Sequence, residues 1–189
     1  HAYLAVDPVV VAGHIITAVQ SIVSRNVRPI DSAVISLCAM QAGDLGAMSV
    51  IPGKATLVGT VRTFNPDVQD LVERRLNELC SAIALGLGAT ASVRYERIYP
   101  ATVNSAREAM FAADVAQALV GAEHVVRNME PSMGAEDFSF MLQVKAGAYL
   151  RIGQGGEGSC FLHNSRYDFN DDILPLGSAL HAGLIEQSM

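Results

Sequence analysis

Two helix starts in this chain are written alike: Asp7-Pro8 and Asn65-Pro66, each followed by apolar residues at helical spacing. An Asp or Asn side chain can accept the unpaired N–H groups of a first turn, and proline suits the first helical position because it leaves no N–H orphaned. After Pro8, Ala12, Ile15, Ile16, Val19, Ile22 and Val23 predict a helix closing near Ser24-Arg25-Asn26. After Pro66, Val68, Leu71, Val72, Leu76, Leu79 and Ile83 predict another, stopping at Gly86 or Gly88. Between the helices, 31–41 and 54–63 read as strands, the first ending in turn chemistry at Gln41-Ala42-Gly43-Asp44. Residues 90–98 read as a third strand. The order is helix, strand, strand, helix, strand. One strand ahead of His1 would complete a ferredoxin-like βαββαβ unit. Two helices would then cover one sheet face, leaving the other face or an outer edge to a partner.

The character changes at Tyr99-Pro100-Ala101-Thr102, which sets domains of 1–99 and 100–189. The second should hold a helix at 104–120 ended by Gly121, a short strand at 124–128 and a short helix starting near Glu136. A buried strand at 146–152, a flexible glycine-rich loop at 153–159 and a closing helix at 174–187 follow. These are too few elements for a full core. They fit the end of a larger α/β domain that begins before residue 1.

Of the 189 residues, half are hydrophobic and 17% are charged, with a formal net charge of −6. Lys and Arg are scattered, so neither nucleic acid nor an anionic membrane surface is an expected partner. No apolar run approaches the roughly 18 residues of a membrane span, and no leader is visible. Cys38, Cys80 and Cys160 are odd in number and fit no zinc or redox spacing. They read as small buried hydrophobes in a reducing, cytoplasmic setting. A chain opening on His1 rather than Met reads as a piece of a longer polypeptide.

Two runs carry the chemistry: Met133-Gly134-Ala135-Glu136-Asp137-Phe138-Ser139 and Leu162-His163-Asn164-Ser165-Arg166-Tyr167-Asp168-Phe169-Asn170-Asp171. His163 follows a flexible stretch and has carboxylates near it in sequence, which suits an imidazole aimed into a cleft. Glu136 and Asp137 have two readings. Acids at a helix start are stabilised by the helix dipole, or a carboxylate there serves a metal or a substrate. Asp168, Asp171 and Asp172 equally suit a solvated turn with a helix cap. Arg62, at a strand end, suits a substrate carboxylate or an internal ion pair. His14, His124 and His181 have no partner at metal-ligand spacing and read as structural. The 153–158 glycines lack the Lys-Ser/Thr ending of a phosphate loop, and no H-E-x-x-H, Cys-x-x-Cys or G-x-S-x-G motif is present. A catalytic zinc needs about three protein ligands, and one convincing candidate is in view.

These runs, with Val6-Asp7-Pro8-Val9, Ser24-Arg25, Val50-Ile51-Pro52 and Gly59-Thr60-Val61-Arg62, occur in the order found in the M20 metallopeptidases. The chain resembles their amidohydrolase branch, which includes hippurate hydrolases, indole-acetyl-amino-acid hydrolases and N-acyl-amino-acid deacylases. The resemblance implies that 1–99 is a lid domain mediating homodimerisation and 100–189 the C-terminal portion of the catalytic domain. It implies that His163 is a metal ligand, that Glu136 acts near the active site, and that His1 contacts substrate. It also implies two divalent ions (Zn, Mn, Co or Ni) in the intact site. The family's N-terminal Cys-Gly-His-Asp-x-His type run and its Glu-Glu pair are absent, and the resemblance assigns them upstream of residue 1. Ser49 stands where the family usually has Asn, and Ser165 replaces a common Pro.

The intact enzyme would then hydrolyse the amide of small N-acyl amino acids. Two ions would activate a water and a glutamate would move its proton, under a lid that closes over the substrate. The 189 residues alone should be inactive. The alternatives are a non-catalytic dimerisation module or degenerate homologue, and a related dipeptidase or diaminopimelate-type deacylase.

Overall fold

Both proline-led helices form as their caps require. In the computed structural model, which describes residues 2–156 and 158–189, the Asp7 carboxylate accepts the Val9 N–H at 2.8 Å. The Asn65 side chain accepts the Asp67 N–H at 2.9 Å. Helix α1 runs Pro8–Ala18 and α2 runs Gln20–Asn26 after a brief interruption at Val19. Strands β1 (Ala33–Ala42) and β2 (Ala55–Thr63) pair antiparallel, and α3 spans Pro66–Gly86. In the second part, α4 is Ala106–Val120, α5 is Phe138–Val144 and α6 is Leu174–Ser188. Short 3-10 turns occupy Ala2–Leu4, Ala122–His124 and Asp171–Ile173. The chain divides into two compact units, His1–Ala101 and Thr102–Met189.

Unit 1 is organised around one apolar cluster. Val11, Ile15, Val19 and Ile22 of the first helical stretch meet Ile35 of β1 and Val68, Val72, Leu76, Cys80 and Ala84 of α3. The spacing of the α3 members puts them on one helical face, and Ile22, Val72 and Ala84 are wholly excluded from solvent. Leu57 and Val61 of β2 close the cluster from the sheet side. Helix α3 ends with Gly88 at φ +79° and an Ala89 N–H to Ala84 carbonyl bond of 2.8 Å, a termination that favours glycine because its left-handed backbone strains any side chain.

Three expectations are corrected. Residues 90–98 form no ladder; the sheet has two strands, β1 and β2. Their side chains alternate between inside and outside, and Ala89, Ala91, Val93 and Tyr95 pack on the cluster. The backbone is therefore extended and half-buried, but no described strand lies beside it to pair. Secondly, an apolar stretch of membrane-spanning length does exist. Pro8–Asn26 covers 19 residues with a mean hydropathy of 1.3. Its Val11, Ala12, Ile15, Val19 and Ile22 are buried in the unit 1 core, which accounts for its apolarity without a bilayer. Thirdly, only Cys80 is buried, while Cys38 is exposed and Cys160 lies between. Cys38 follows the inward Ala33, Ile35 and Leu37 on the outer side of the strand, and is the extra residue of a bulge between the Leu37–Gly59 and Ala39–Val58 pairs.

Unit 2 has a thinner interior. Among its described residues Ala112 and Val115 of α4, Leu180 of α6 and Ser139 of α5 are buried. Helices α4 and α6 approach so closely that a Cβ on Gly183 would come within 3.2 Å of Val115 Cγ1. The strand expected at 124–128 is replaced by the 3-10 turn after Gly121, and Arg127 instead pairs with Asp114 of α4 at 2.6 Å. The strand expected at 146–152 is held by another route. The Asn104 side-chain amide donates to the Tyr149 carbonyl at 3.0 Å and accepts the Tyr149 N–H at 2.8 Å. The Ser105 N–H reaches the Gly147 carbonyl at 2.9 Å. The Asn104 side chain and one isolated backbone bond thus supply what a ladder would otherwise make.

Candidate functional site

Glu136 is fixed through its backbone. Its backbone carbonyl accepts the Ser139 hydroxyl at 2.6 Å and the Ser139 N–H at 3.1 Å, and Ser139 has no solvent exposure. Its carboxylate lies near enough to the Tyr149 hydroxyl to hold that phenol's pKa up. The Tyr149 ring lies 5.7 Å from that of Phe138, tilted by 45°, and its backbone is held by Asn104 on both sides. The short helix begins at Phe138 rather than at Glu136, and Asp137 at its cap makes no side-chain capping bond. Capping by hydrogen bond therefore explains neither acid.

Burial raises the Tyr149 phenol above its usual value, and the Glu136 carboxylate beside it pushes the same way, against a smaller opposing pull from Arg151. Burial and the neighbouring carboxylate both disfavour the phenolate, so native Tyr149 holds its proton to higher pH than the unfolded chain does. The contribution to stability is complete below the ordinary tyrosine value of about 10 and declines as pH rises through the folded value. Replacing Glu136 with Gln removes the negative charge and should bring the Tyr149 ionisation down. The check is a phenolate absorbance titration, with Tyr149 isolated by subtracting the Tyr149→Phe profile. An unmoved ionisation would mean that the two side chains do not interact.

His163 lies in a turn between the glycine-rich loop and α6. Its φ is +67°, and it is the one non-glycine residue with positive φ among those described. Such a conformation costs energy in an L-residue, although His tolerates it better than most, and strain of this kind gathers at functional positions. Asn164 secures the turn: its side chain accepts the Arg166 N–H at 2.9 Å and its carbonyl accepts the Tyr167 N–H at 2.9 Å. The His163 imidazole is exposed and makes no hydrogen bond or ion pair with a described residue. A cleft of about 440 Å³ opens nearby in sequence, lined by Ser159, Cys160, Arg166, Asp168, Asn170 and Asp172 among others. Asn170 ties it together. Its N–H and amide reach Gln154 at 3.2 Å each, and its oxygen caps the 3-10 turn by accepting the Asp172 N–H at 3.1 Å. The cap expected from an aspartate there is thus supplied by Asn170.

The other expected residues are placed as follows. Arg62 is exposed near the end of β2, opposite Val34 in the register, and has an interacting partner. It belongs to unit 1, whereas Glu136 and His163 belong to unit 2. His1 lies outside the described residues. No hydrogen bond or ion pair joins Glu136 to His163. Among the described residues no group of three or more His, Cys, Asp or Glu side chains is disposed to hold a metal ion. A catalytic zinc takes about three protein ligands, so the described residues do not by themselves fit a complete metal centre. Sequence reading missed Tyr149 and Ser139. Ser139 stands three residues after Glu136, a spacing at which a hydroxyl can reach back to a carbonyl, whereas no local spacing connects Tyr149 to Glu136; that connection comes from folding 146–152 back beside the start of α5.

Comparison with known proteins gives one consistent result. The chain is 36% identical over 180 residues to the hippurate hydrolase of Campylobacter jejuni, covering 95% of this chain and 46% of that protein. It is 32% identical over 180 residues to the N-acetylcysteine deacetylase of Bacillus subtilis, covering 95% and 46%. A crystal structure of a dinuclear metal-binding peptidase of the M20 family from Bacillus subtilis superposes with a TM-score of 0.74 at 28% identity, over 95% of this chain and 45% of that one. The chain therefore spans about half the length of the curated relatives it matches, and its fold is α/β. The family model for peptidases M20/M25/M40 matches residues 4–187, and with nearly the whole chain accounted for in this way, the chain belongs to that family.

Proposed function

We propose that this chain is part of a metal-dependent amidohydrolase that cleaves the amide between an acyl group and an amino acid. The observation that carries the reading is His163. The residue marked by the family-like motif is also the one described non-glycine residue held in a left-handed backbone, with an exposed imidazole. In this reading His163 is one metal ligand, and the remaining ligands for two divalent ions (Zn, Mn, Co or Ni) come from outside the described residues. Glu136, whose backbone is held by the Ser139 bonds and whose carboxylate lies beside Tyr149, presents its carboxylate to the substrate region. Arg62 and His1 contact substrate, the first through a guanidinium that matches a carboxylate bidentately. Residues 1–99 act as a ferredoxin-like lid and dimerisation domain, and 100–189 as the C-terminal portion of the catalytic domain. Three free thiols suit a cytosolic setting.

The relatives' names support the substrate class, since hippurate hydrolase, IAA-amino acid hydrolase and N-acetylcysteine deacetylase all describe acyl-type groups joined to amino acids. The test uses the intact protein that contains this chain. Hippurate and N-acetylcysteine are supplied, and free amino acid is measured before chelation, after it, and after return of Zn, Mn, Co or Ni. Release should vanish with the metal and return with it, while the 189 residues alone release none. If the intact protein releases no amino acid from any N-acyl amino acid but still dimerises, the chain is a dimerisation module instead.

A further inference from the structure

Arg151 brings a positive charge to the part of unit 2 that holds Glu136. Two observations place it there. Its Nη2 lies 3.9 Å from where a Cβ on Gly134 would stand, two residues before Glu136. Its charge is also near enough to the Tyr149 hydroxyl to favour the phenolate, against Glu136 and Asp137, which disfavour it. The segment that carries it is pinned two residues earlier, where Asn104 bonds the Tyr149 backbone on both sides. Most arginines of this acidic chain are tied to a carboxylate, as Arg97 is to Asp70 and Glu73 and Arg127 is to Asp114. Arg151 is exposed and forms an ion pair with neither Glu136 nor Asp137, although all three act on the same phenol.

In the reading proposed above, on which this inference rests, Arg62 meets the α-carboxylate that every N-acyl amino acid carries. A second guanidinium beside the Glu136 carboxylate is not needed for what all such substrates share; it distinguishes among them. We infer that Arg151 receives a second carboxylate of the substrate, so that the enzyme prefers N-acyl amino acids bearing two negative charges. The guanidinium fork presents parallel N–H donors that match a carboxylate, and the Tyr149 hydroxyl is a further donor close by. The neighbouring acids sharpen the choice. Glu136 and Asp137 repel any anion in this region, so a second carboxylate is accepted only where Arg151 meets it. That carboxylate belongs to the amino acid's side chain or to the acyl group, and the chemistry at Arg151 is the same for both.

The intact protein that contains this chain is offered isosteric pairs. N-acetylglutamate against N-acetylglutamine tests the side chain, and N-succinylglycine against its terminal monoamide tests the acyl group. In one pair the doubly charged member should lead about 10–100-fold in kcat/KM, the range that hydrogen bonds to a charged group supply. The difference should lie in KM, because this carboxylate is remote from the scissile bond. Arg151→Gln should erase the lead and, with Glu136 and Asp137 still present, put the doubly charged member below its amide. Arg151→Glu should turn the preference toward the matching ammonium-bearing substrate, a reversal that a merely structural arginine would not give. Binding is read separately in metal-free protein from the Tyr149 phenolate absorbance, with Tyr149→Phe as the blank. A carboxylate on Arg151 cancels its pull on the phenol, so the doubly charged ligand should raise the Tyr149 ionisation more than the amide does. If nothing is hydrolysed but this shift appears and is lost in Arg151→Gln, the amidohydrolase reading fails and the inference stands. The inference is overturned if neither pair is bound, if both members are bound and turned over alike, or if Arg151→Gln keeps the preference. A lowered melting temperature in Arg151→Gln with the preference unchanged assigns the arginine to an internal ion pair instead.

Discussion

Substituting Gly59 with valine is expected to unfold unit 1. A Cβ at this position would lie 2.2 Å from the Ser36 carbonyl oxygen, 2.9 Å from Leu37 Cδ2 and 3.0 Å from Leu37 Cα. Carbon and oxygen do not approach so closely, and the obstacle is backbone, which cannot swing aside like a side chain. Gly59 faces Leu37 where the register shifts past Cys38, so the bulge and the glycine form one device. To admit a side chain, the strands must separate there or slip. A slip of one residue would turn Leu57 and Val61 away from the core. Crowding of this kind costs about 1–3 kcal/mol where surroundings can yield, and here they cannot. Against a total of roughly 5–15 kcal/mol for a domain, even Gly59→Ala should lower the melting temperature of unit 1 by well over about 5 °C. The control is Gly86→Ala. A Cβ there meets nothing within 4 Å, and alanine is the better helix former, so stability should hold or rise slightly. Thermal unfolding followed by circular dichroism decides it; equal melting temperatures for the Gly59 and Gly86 variants would sink the account.

What the sequence made legible in this fold is what short-range chemistry determines. Asp7 and Asn65 cap their helices because the acceptor and the donor are two residues apart. The α3 stripe is read directly from period, since each member faces the same core. Failures begin where an outcome depends on something distant in the chain. The alternation along 90–98 was readable and its burial follows it, but a ladder needs a neighbour, and period carries no information about neighbours. In 146–152 the bonds are made by the side chain of Asn104, a residue whose composition-level reading is simply the start of a helix. Cys38 is misread when its burial is taken from the general habit of free cysteines, whereas the alternation of Ala33, Ile35 and Leu37 leaves position 38 on the outer side. The candidate site shows the same division. The motif around His163 was visible, but not its left-handed backbone. Glu136 was visible, but not Tyr149, which reaches it only after the chain folds back. Such long-range support holds a functional side chain still, and it is the part that local pattern does not encode.

Replacing His163 with Asn is expected to abolish hydrolysis by the intact protein while leaving its fold untouched. The choice of Asn follows from the backbone. At φ +67°, alanine would add left-handed strain of about 1–2 kcal/mol, and lost activity could then be blamed on a disturbed turn. Asparagine tolerates this region, and the bonds that secure the turn come from Asn164 rather than from His163. The unfolding transition should therefore superimpose on that of the unaltered protein. What the substitution removes is the imidazole, a strong ligand for zinc-like ions, in exchange for an amide that binds them weakly. Loss of groups that merely orient a metal ligand costs about 10–100-fold in affinity or activity, so loss of a ligand itself should cost more than a hundredfold in turnover, with a matching fall in bound metal by elemental analysis. Glu136→Gln separates the two roles: hydrolysis should fall with metal content unchanged, because in the proposed reading Glu136 serves the substrate region rather than the ion. If the His163→Asn protein retains both its metal and its hydrolysis, His163 is not a ligand, and its strained backbone has some other cause.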